Sequence, residues 1–145
     1  MRLILQRVTR AEVRVDGIST GKIGIGLVVL LGFGQEDSPE LIPGAVKKIN
    51  ELRIFSDANG KMNLSLKDIE GSVLAISQFT LYANCARGRR PDFTHAAPPI
   101  LAEELYNLFL NGLKDAGIPY QTGIFGADMK LELLNDGPVT ISLEF

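Results

Sequence analysis

Ser77-Gln78-Phe79-Thr80-Leu81 sets two hydroxyls and an amide at the end of an apolar run, Ser72 to Ser77, that reads as a buried strand. Groups of these types at a strand exit suit a nucleophile, an oxyanion pocket or simply a strand with polar edges. No general base accompanies the hydroxyls in sequence. His95 is the only imidazole, and it stands in a Thr-His-Ala-Ala-Pro loop with no nucleophile motif around it. A second unusual segment is Asn135-Asp136-Gly137-Pro138-Val139-Thr140. Pro138 follows a glycine and begins a strand-like run, where it can donate no ladder hydrogen bond and restricts its neighbour. Either the Gly-Pro pair is held in a special conformation, or Asn-Asp-Gly is an ordinary turn closing a hairpin. Arg87, Arg89 and Arg90 form the densest positive cluster. Their guanidiniums suit phosphate oxygens, with a solvated loop as the alternative.

The remaining motifs promise less chemistry. Gly24-Ile25-Gly26 and Gly32-Phe33-Gly34 lack the third glycine of a dinucleotide fingerprint and any Gly-Lys-Ser/Thr, so they read as turn glycines. One cysteine, Cys85, excludes an internal disulfide, and with one histidine it leaves too few soft ligands for a typical zinc site.

The chain of 145 residues fits one domain, 1–145, around one core. A net charge of -2 with 22% charged residues and a pI near 5.4 describe an ordinary globular protein, not a general nucleic-acid coat or a membrane-surface binder. The longest apolar run, Ile25 to Leu31, is broken by Gly26 and too short to span a bilayer. A cytoplasmic location is expected, with no signal peptide, no membrane and no DNA partner.

These segments need a scaffold. Alternation over Ala11–Val15 followed by Asp16-Gly17 predicts a hairpin, and Ile25 to Leu31 a strand buried on both faces. Ser38-Pro39 predicts the start of a helix carrying Val46, Ile49 and Leu52, with Pro43-Gly44 able to delay it. Asp57-Ala58-Asn59-Gly60 predicts a turn after a short strand. A loop from Asn84 to Pro99 precedes an amphipathic helix with Leu101, Leu105, Leu108, Phe109 and Leu113 on one face, ended by Gly117 and Pro119. Met129, Leu131 and Leu133 predict one strand, and Val139, Ile141, Leu143 and Phe145 the next.

The two signature segments, with Leu5-Gln6-Arg7-Val8, Arg53-Ile54-Phe55-Ser56-Asp57, Gly60-Lys61-Met62-Asn63, Arg87-Gly88, Arg90-Pro91 and Gly123-Ile124-Phe125, resemble the D-aminoacyl-tRNA deacylase family in the expected order over essentially the whole chain. The strand and helix pattern, together with this family resemblance, predicts an α+β single domain of mixed sheets, sandwich- or barrel-like, covered by two main helices. The resemblance implies hydrolysis of the ester joining a D-amino acid to the terminal adenosine of tRNA, with no metal or organic cofactor implied. It implies a homodimer in which a cis Gly137-Pro138 enters the partner's pocket and excludes L-amino acids by backbone collision, so that glycyl-tRNA is also a substrate. The site residues it implies are Ser77, Gln78, Phe79 and Thr80, with the Phe79 and Thr80 N–H groups as oxyanion partners and the substrate's 2′-hydroxyl activating water. Thr80 as nucleophile is the rival role. Phe125 and Met129 would cradle adenine, with Met129 in the core as the alternative; Ala102 would keep the pocket shallow near the ribose, with plain helix packing as the alternative; Arg7 would brace the Gly-Pro pair, with a surface ion pair as the alternative; and Arg87, Arg89 and Arg90 would touch tRNA. The rival classes are a small-molecule esterase dependent on His95 and an RNA-binding module without turnover, the latter disfavoured by the acidic pI.

Overall fold

The computed structural model describes residues 1–145. Its spine is β1 (Arg2–Val15), a 14-residue strand. Asp16 and Gly17, both at positive φ (49° and 79°), turn the chain into β2 (Ile18–Ile23). This is the two-residue hairpin that an Asp-Gly pair favours. β3 (Gly26–Gly32) runs antiparallel to Arg2–Val8, whereas β2 pairs with Ala11–Val15. The two therefore share one edge of β1. The other edge belongs along its whole length to β8 (Met129–Glu144).

Beyond β3 the sheet continues through β6 (Ser72–Ser77) and β7 (Tyr120–Thr122), both parallel to their neighbours. A Cβ built on Gly21 of β2 would lie 2.6 Å from the Thr122 carbonyl oxygen of β7, so the two ends of the sheet approach closely and the layer is nearly a barrel. A small hairpin, β4 (Phe55–Ser56) and β5 (Met62–Leu64), lies outside it. No helix is long and apolar enough to cross a membrane.

Side-chain parity along β1 explains why there are two apolar clusters. Leu3 and Leu5 enter the larger one, beneath helices α1 (Leu41–Glu51) and α2 (Pro99–Asp115). Val8, Ala11 and Val13 enter the smaller one, on the opposite face with Val28, Leu74 and Ile76. Strict alternation cannot send Leu5 one way and Ala11 and Val13 the other. The register against β8 shifts between Val8 and Arg10, where the extra residue Thr9 forms a bulge that reverses the parity.

Several boundaries differ from the sequence pattern. Helix α1 begins at Leu41 because Ser38 to Leu41 form a separate turn, Leu41 N–H to the Ser38 carbonyl at 3.2 Å. Pro43 sits in the helix's first turn, where its missing N–H leaves no gap, so it causes no delay. Leu52 lies just past the helix end. In α2, Leu108 is 41% exposed, and the buried stripe runs through Ala102, Leu105, Tyr106, Phe109 and Leu113, one face at 3.6-residue spacing. Ile25 is a turn residue rather than part of the strand. Most consequentially, the tail forms one 16-residue strand where the pattern predicts two.

The end of α2 follows its glycine. Gly117 takes φ 70°, its N–H reaches the Lys114 carbonyl, and the Ile118 N–H reaches the Leu113 carbonyl, both at 3.0 Å. This is the Schellman arrangement, with buried Leu113 and Ile118 as its apolar contact.

Two glycines should respond oppositely to alanine. A Cβ on Gly26 would overlap the Ser72 backbone, whereas one on helical Gly44 would meet nothing within 4 Å. Gly26→Ala should cost about 1–3 kcal/mol in urea unfolding, and Gly44→Ala should add about 0.5–1 kcal/mol.

Candidate active site

The parallel strands β3 and β6 end side by side, Leu31 paired with Ser77. A cleft of about 790 Å³ opens beyond them. Leu31, Phe33 and Ile76 belong to its apolar lining, Ser77, Gln78 and Phe79 to its polar side. Facing walls come from Phe93, Thr94 and Ala96 to Pro99, from Ala102 in the first turn of α2, and from Phe125 to Met129.

The polar side is a backbone feature more than a side-chain one. Phe79–Tyr82 is a single 3-10 turn, and Phe79 and Thr80 open it. The first N–H groups of such a turn have no acceptor within it, and no turn or loop bond uses either of these two. The Gln78 side-chain amide donates to the Thr80 hydroxyl oxygen. No histidine lines the cleft, and its only carboxylate, Asp128, is exposed and paired with Lys130 at 2.9 Å. A hydroxyl without an adjacent base is a weak nucleophile, whereas free N–H groups at a cleft suit a developing oxyanion.

Aromatic side chains shape the rest. Phe79, 57% exposed, meets Phe93 edge to face with centroids 5.0 Å apart. Phe125 tilts against Tyr106 at 5.9 Å, and the Tyr106 hydroxyl donates to the Ala75 carbonyl at 2.9 Å. Burial pushes the Tyr106 phenol pKa upward, so it remains a donor. The Met129 thioether packs where a side chain on Gly123 would stand, between the cleft and the smaller core.

The second signature segment is elsewhere. Gln6 pairs with Thr140 and Val8 with Asn135, so Asp136 to Val139 bulge out opposite the single residue Arg7. Asn135 closes the base of this excursion. Its side-chain Oδ1 accepts the Val139 N–H at 2.8 Å, and its Nδ2 donates to the Thr140 hydroxyl oxygen at 3.0 Å. Arg7, 6% exposed, holds the excursion from behind. Its Nε donates to the Asp136 carbonyl at 2.9 Å and lies 3.2 Å from the Asp136 carboxylate, while Nη1 donates to the Ile54 carbonyl at 2.6 Å. Gly137 takes φ 132°, open only to glycine without strain, and the Gly137-Pro138 peptide is cis.

The sequence profile of the family described as D-Tyr-tRNA(Tyr) deacylase matches residues 4–144. The chain belongs to this deacylase family. A D-aminoacyl-tRNA deacylase of Thermosipho africanus (strain TCF52B) is 52% identical over 144 residues, covering 99% of this chain and 97% of that protein. Among solved structures, one named c-Myc DNA unwinding element binding protein superposes with a TM-score of 0.94 at 43% identity, covering 100% and 99% of the two chains. A probable eukaryotic D-amino acid tRNA deacylase shares the fold, with a TM-score of 0.85 at 20% identity and coverage of 98% and 97%.

In this member of the deacylase family the cleft brings together Ser77, Gln78, Phe79, Ala102, Phe125 and Met129. Thr80 adjoins it through Gln78. Arg7, Gly137 and Pro138 line no part of it, and the last two are exposed. Arg87, Arg89 and Arg90 are exposed on a loop closed by the Asn84–Asp92 bridge, directly before Phe93. Two backbone bonds close that bridge, at 2.7 and 3.0 Å. His95 lies in a separate depression with Asp37, Tyr82 and Glu144. No three His, Cys, Asp or Glu side chains gather as a metal-binding group.

Sequence reasoning passed over Phe33, Gln35, Phe93 and Thr94. Period-2 alternation continued from Leu27, Val29 and Leu31 would have put Phe33 on the same face. Nothing local marks Gln35 or Thr94, which meet through the Gln35 amide and the Thr94 carbonyl, far apart in the chain.

The Arg7 geometry predicts a sharp cost. Arg7→Met keeps the stem's volume but leaves the Ile54 carbonyl, in a buried bond, without its donor at about 1–3 kcal/mol, while the exposed Asp136 can turn to water. Urea unfolding should show a loss in that range or above it.

Proposed function

We propose that this protein hydrolyses the ester of D-aminoacyl-tRNA, releasing free tRNA and the D-amino acid. The turn at the cleft's polar edge carries the proposal: the backbone N–H groups of Phe79, which lines the cleft, and of Thr80 next to it have no backbone acceptor, and no imidazole lines the cleft. An aminoacyl ester is already activated, so a positioned water and a stabilised oxyanion suffice without a strong side-chain base. In this reading the substrate's own 2′-hydroxyl activates the water. Thr80 supports the turn, its hydroxyl engaged by Gln78. Family membership across nearly the whole chain, and the activity named for the relative at 52% identity, support the same chemistry.

Chirality is read by the Gly137-Pro138 backbone acting on the cleft of a second copy. Its exposure on its own chain, away from its own cleft, and the rigid Arg7–Asn135 framework behind it favour that assignment. The two carbonyls accept the substrate ammonium and fill the space an L side chain needs, while a D side chain points outward. Glycine has no side chain to exclude, so glycyl-tRNA is a substrate. Phe125 and Met129 cradle the adenine, Ala102 leaves room for the ribose, and Arg87, Arg89 and Arg90 grip the backbone of the acceptor end.

The test is release of amino acid from D-tyrosyl-, L-tyrosyl- and glycyl-tRNA side by side, with chelator present. Rapid loss of the D and glycyl esters with the L ester intact is expected, and equal rates on D and L esters would overturn the proposal. His95→Ala should retain most activity; a loss of about a hundredfold or more would point to a histidine-dependent esterase. Gly137→Ala should lower the D rate or admit the L ester. Duplex DNA belongs in the binding competition, given the name of the solved relative at 43% identity.

A further inference from the structure

The Gly32-Phe33-Gly34 stretch is not a phosphate loop; it is the seat of the Phe79–Tyr82 turn. A Cβ on Gly32 would lie 2.9 Å from both the Gln78 carbonyl oxygen and Leu81 Cβ. One on Gly34 would lie 2.8–2.9 Å from Cε1, Cζ and the hydroxyl oxygen of Tyr82. Neither approach is open to a larger residue without displacement.

Tyr82 is held from other directions too. The Arg2 guanidinium stands over its ring at 4.6 Å, and Arg2 Nη1 donates to the Leu81 carbonyl at 3.1 Å. The Tyr82 hydroxyl donates to Asp37 Oδ2 at 3.3 Å, and the same oxygen accepts the Gly34 N–H at 2.7 Å. The other Asp37 oxygen meets the Met1 amino group at 2.6 Å. Burial, then the Asp37 charge, pushes the Tyr82 phenol up to about 12, which keeps it a donor.

We propose that Tyr82, seated on Gly34 and held by Arg2 and Asp37, is a positioning residue that sets where the Phe79 and Thr80 N–H groups stand at the cleft. A four-residue 3-10 turn has too few internal bonds to fix itself, and oxyanion donors stabilise a transition state only when already in place. Phe33, between the two glycines, reaches the cleft lining, so the strand that seats the turn also shapes the site.

The proposal rests on the oxyanion role given above to these two N–H groups. Its test is steady-state hydrolysis of D-tyrosyl-tRNA by Gly34→Ala, Tyr82→Ala and the double variant, with Gly26→Ala as a destabilised control remote from the turn. Circular dichroism fixes a temperature at which all are folded. Gly34→Ala should lower kcat at least about tenfold with KM within about twofold. Because its new methyl meets Tyr82 first, the double variant should be no worse than Tyr82→Ala, and Gly26→Ala should keep kcat. Tyr82→Phe, which removes only the bond to Asp37, should cost about threefold in kcat and serves if the glycine variant does not fold. In NMR spectra the Phe79 and Thr80 amide resonances should move in Gly34→Ala and not in Gly26→Ala. Unchanged kcat in Gly34→Ala and Tyr82→Phe, or fully additive losses in the double variant, would overturn the positioning role. A wild-type protein inactive on every aminoacyl-tRNA would sink the parent reading instead, while the amide resonances still decide whether Tyr82 positions the turn.

Discussion

Strand β1 carries the constraint on which the other elements depend, because one backbone ladder must satisfy three partners. β8 claims one edge from end to end, and β3 and β2 divide the other. The handover falls around Val8 to Arg10, where one bulged residue reverses which face the side chains occupy. Without it Ala11 and Val13 would point toward the helices and the smaller core would lose its centre. Just before it, between Gln6 and Val8, the register against β8 shifts again, and there β8 carries the extra residues, as the four-residue excursion around Gly137-Pro138 opposite Arg7.

Arg7 connects that mismatch to the rest of the molecule. It follows Leu3 and Leu5 on the helix-facing side, so its position in the alternation buries a charged residue. Burial of a guanidinium is tolerable only when its donors and charge are met. Here two carbonyls and one carboxylate meet them, all from segments remote in sequence. A residue that would be a liability in a core thereby becomes the support that holds an exposed Gly-Pro pair in one place.

The cleft follows a comparable logic. Two parallel strands end together, a short turn leaves its first N–H groups unbonded, and a helix begins on the opposite wall. The polar groups left unbonded at this edge are thus backbone N–H groups, and His95 lies outside the cleft lining. The lining of the cleft mixes aromatic rings, alanines and prolines.

Strand and helix identities were legible in the chain because they follow local periodicity and turn chemistry. Asp16-Gly17 specifies a hairpin, Gly117 ends α2, and the alternations at 129–133 and 139–143 mark strand faces. The Ser77–Leu81 and Asn135–Thr140 segments also stood out by residue type alone, and family resemblance attached roles to them. What the sequence could not reveal is that the tail is one strand instead of two. An Asn-Asp-Gly-Pro segment satisfies the local rules of a hairpin turn, and only pairing with β1 on both sides of Arg7 keeps it in line. The burial of Arg7, the packing of Tyr82 on Gly34 and the separation of Gly137-Pro138 from its own cleft were likewise decided by tertiary structure. The first two are contacts between residues tens of positions apart and the third is a distance between two such segments, and none of them leaves a period in a sequence.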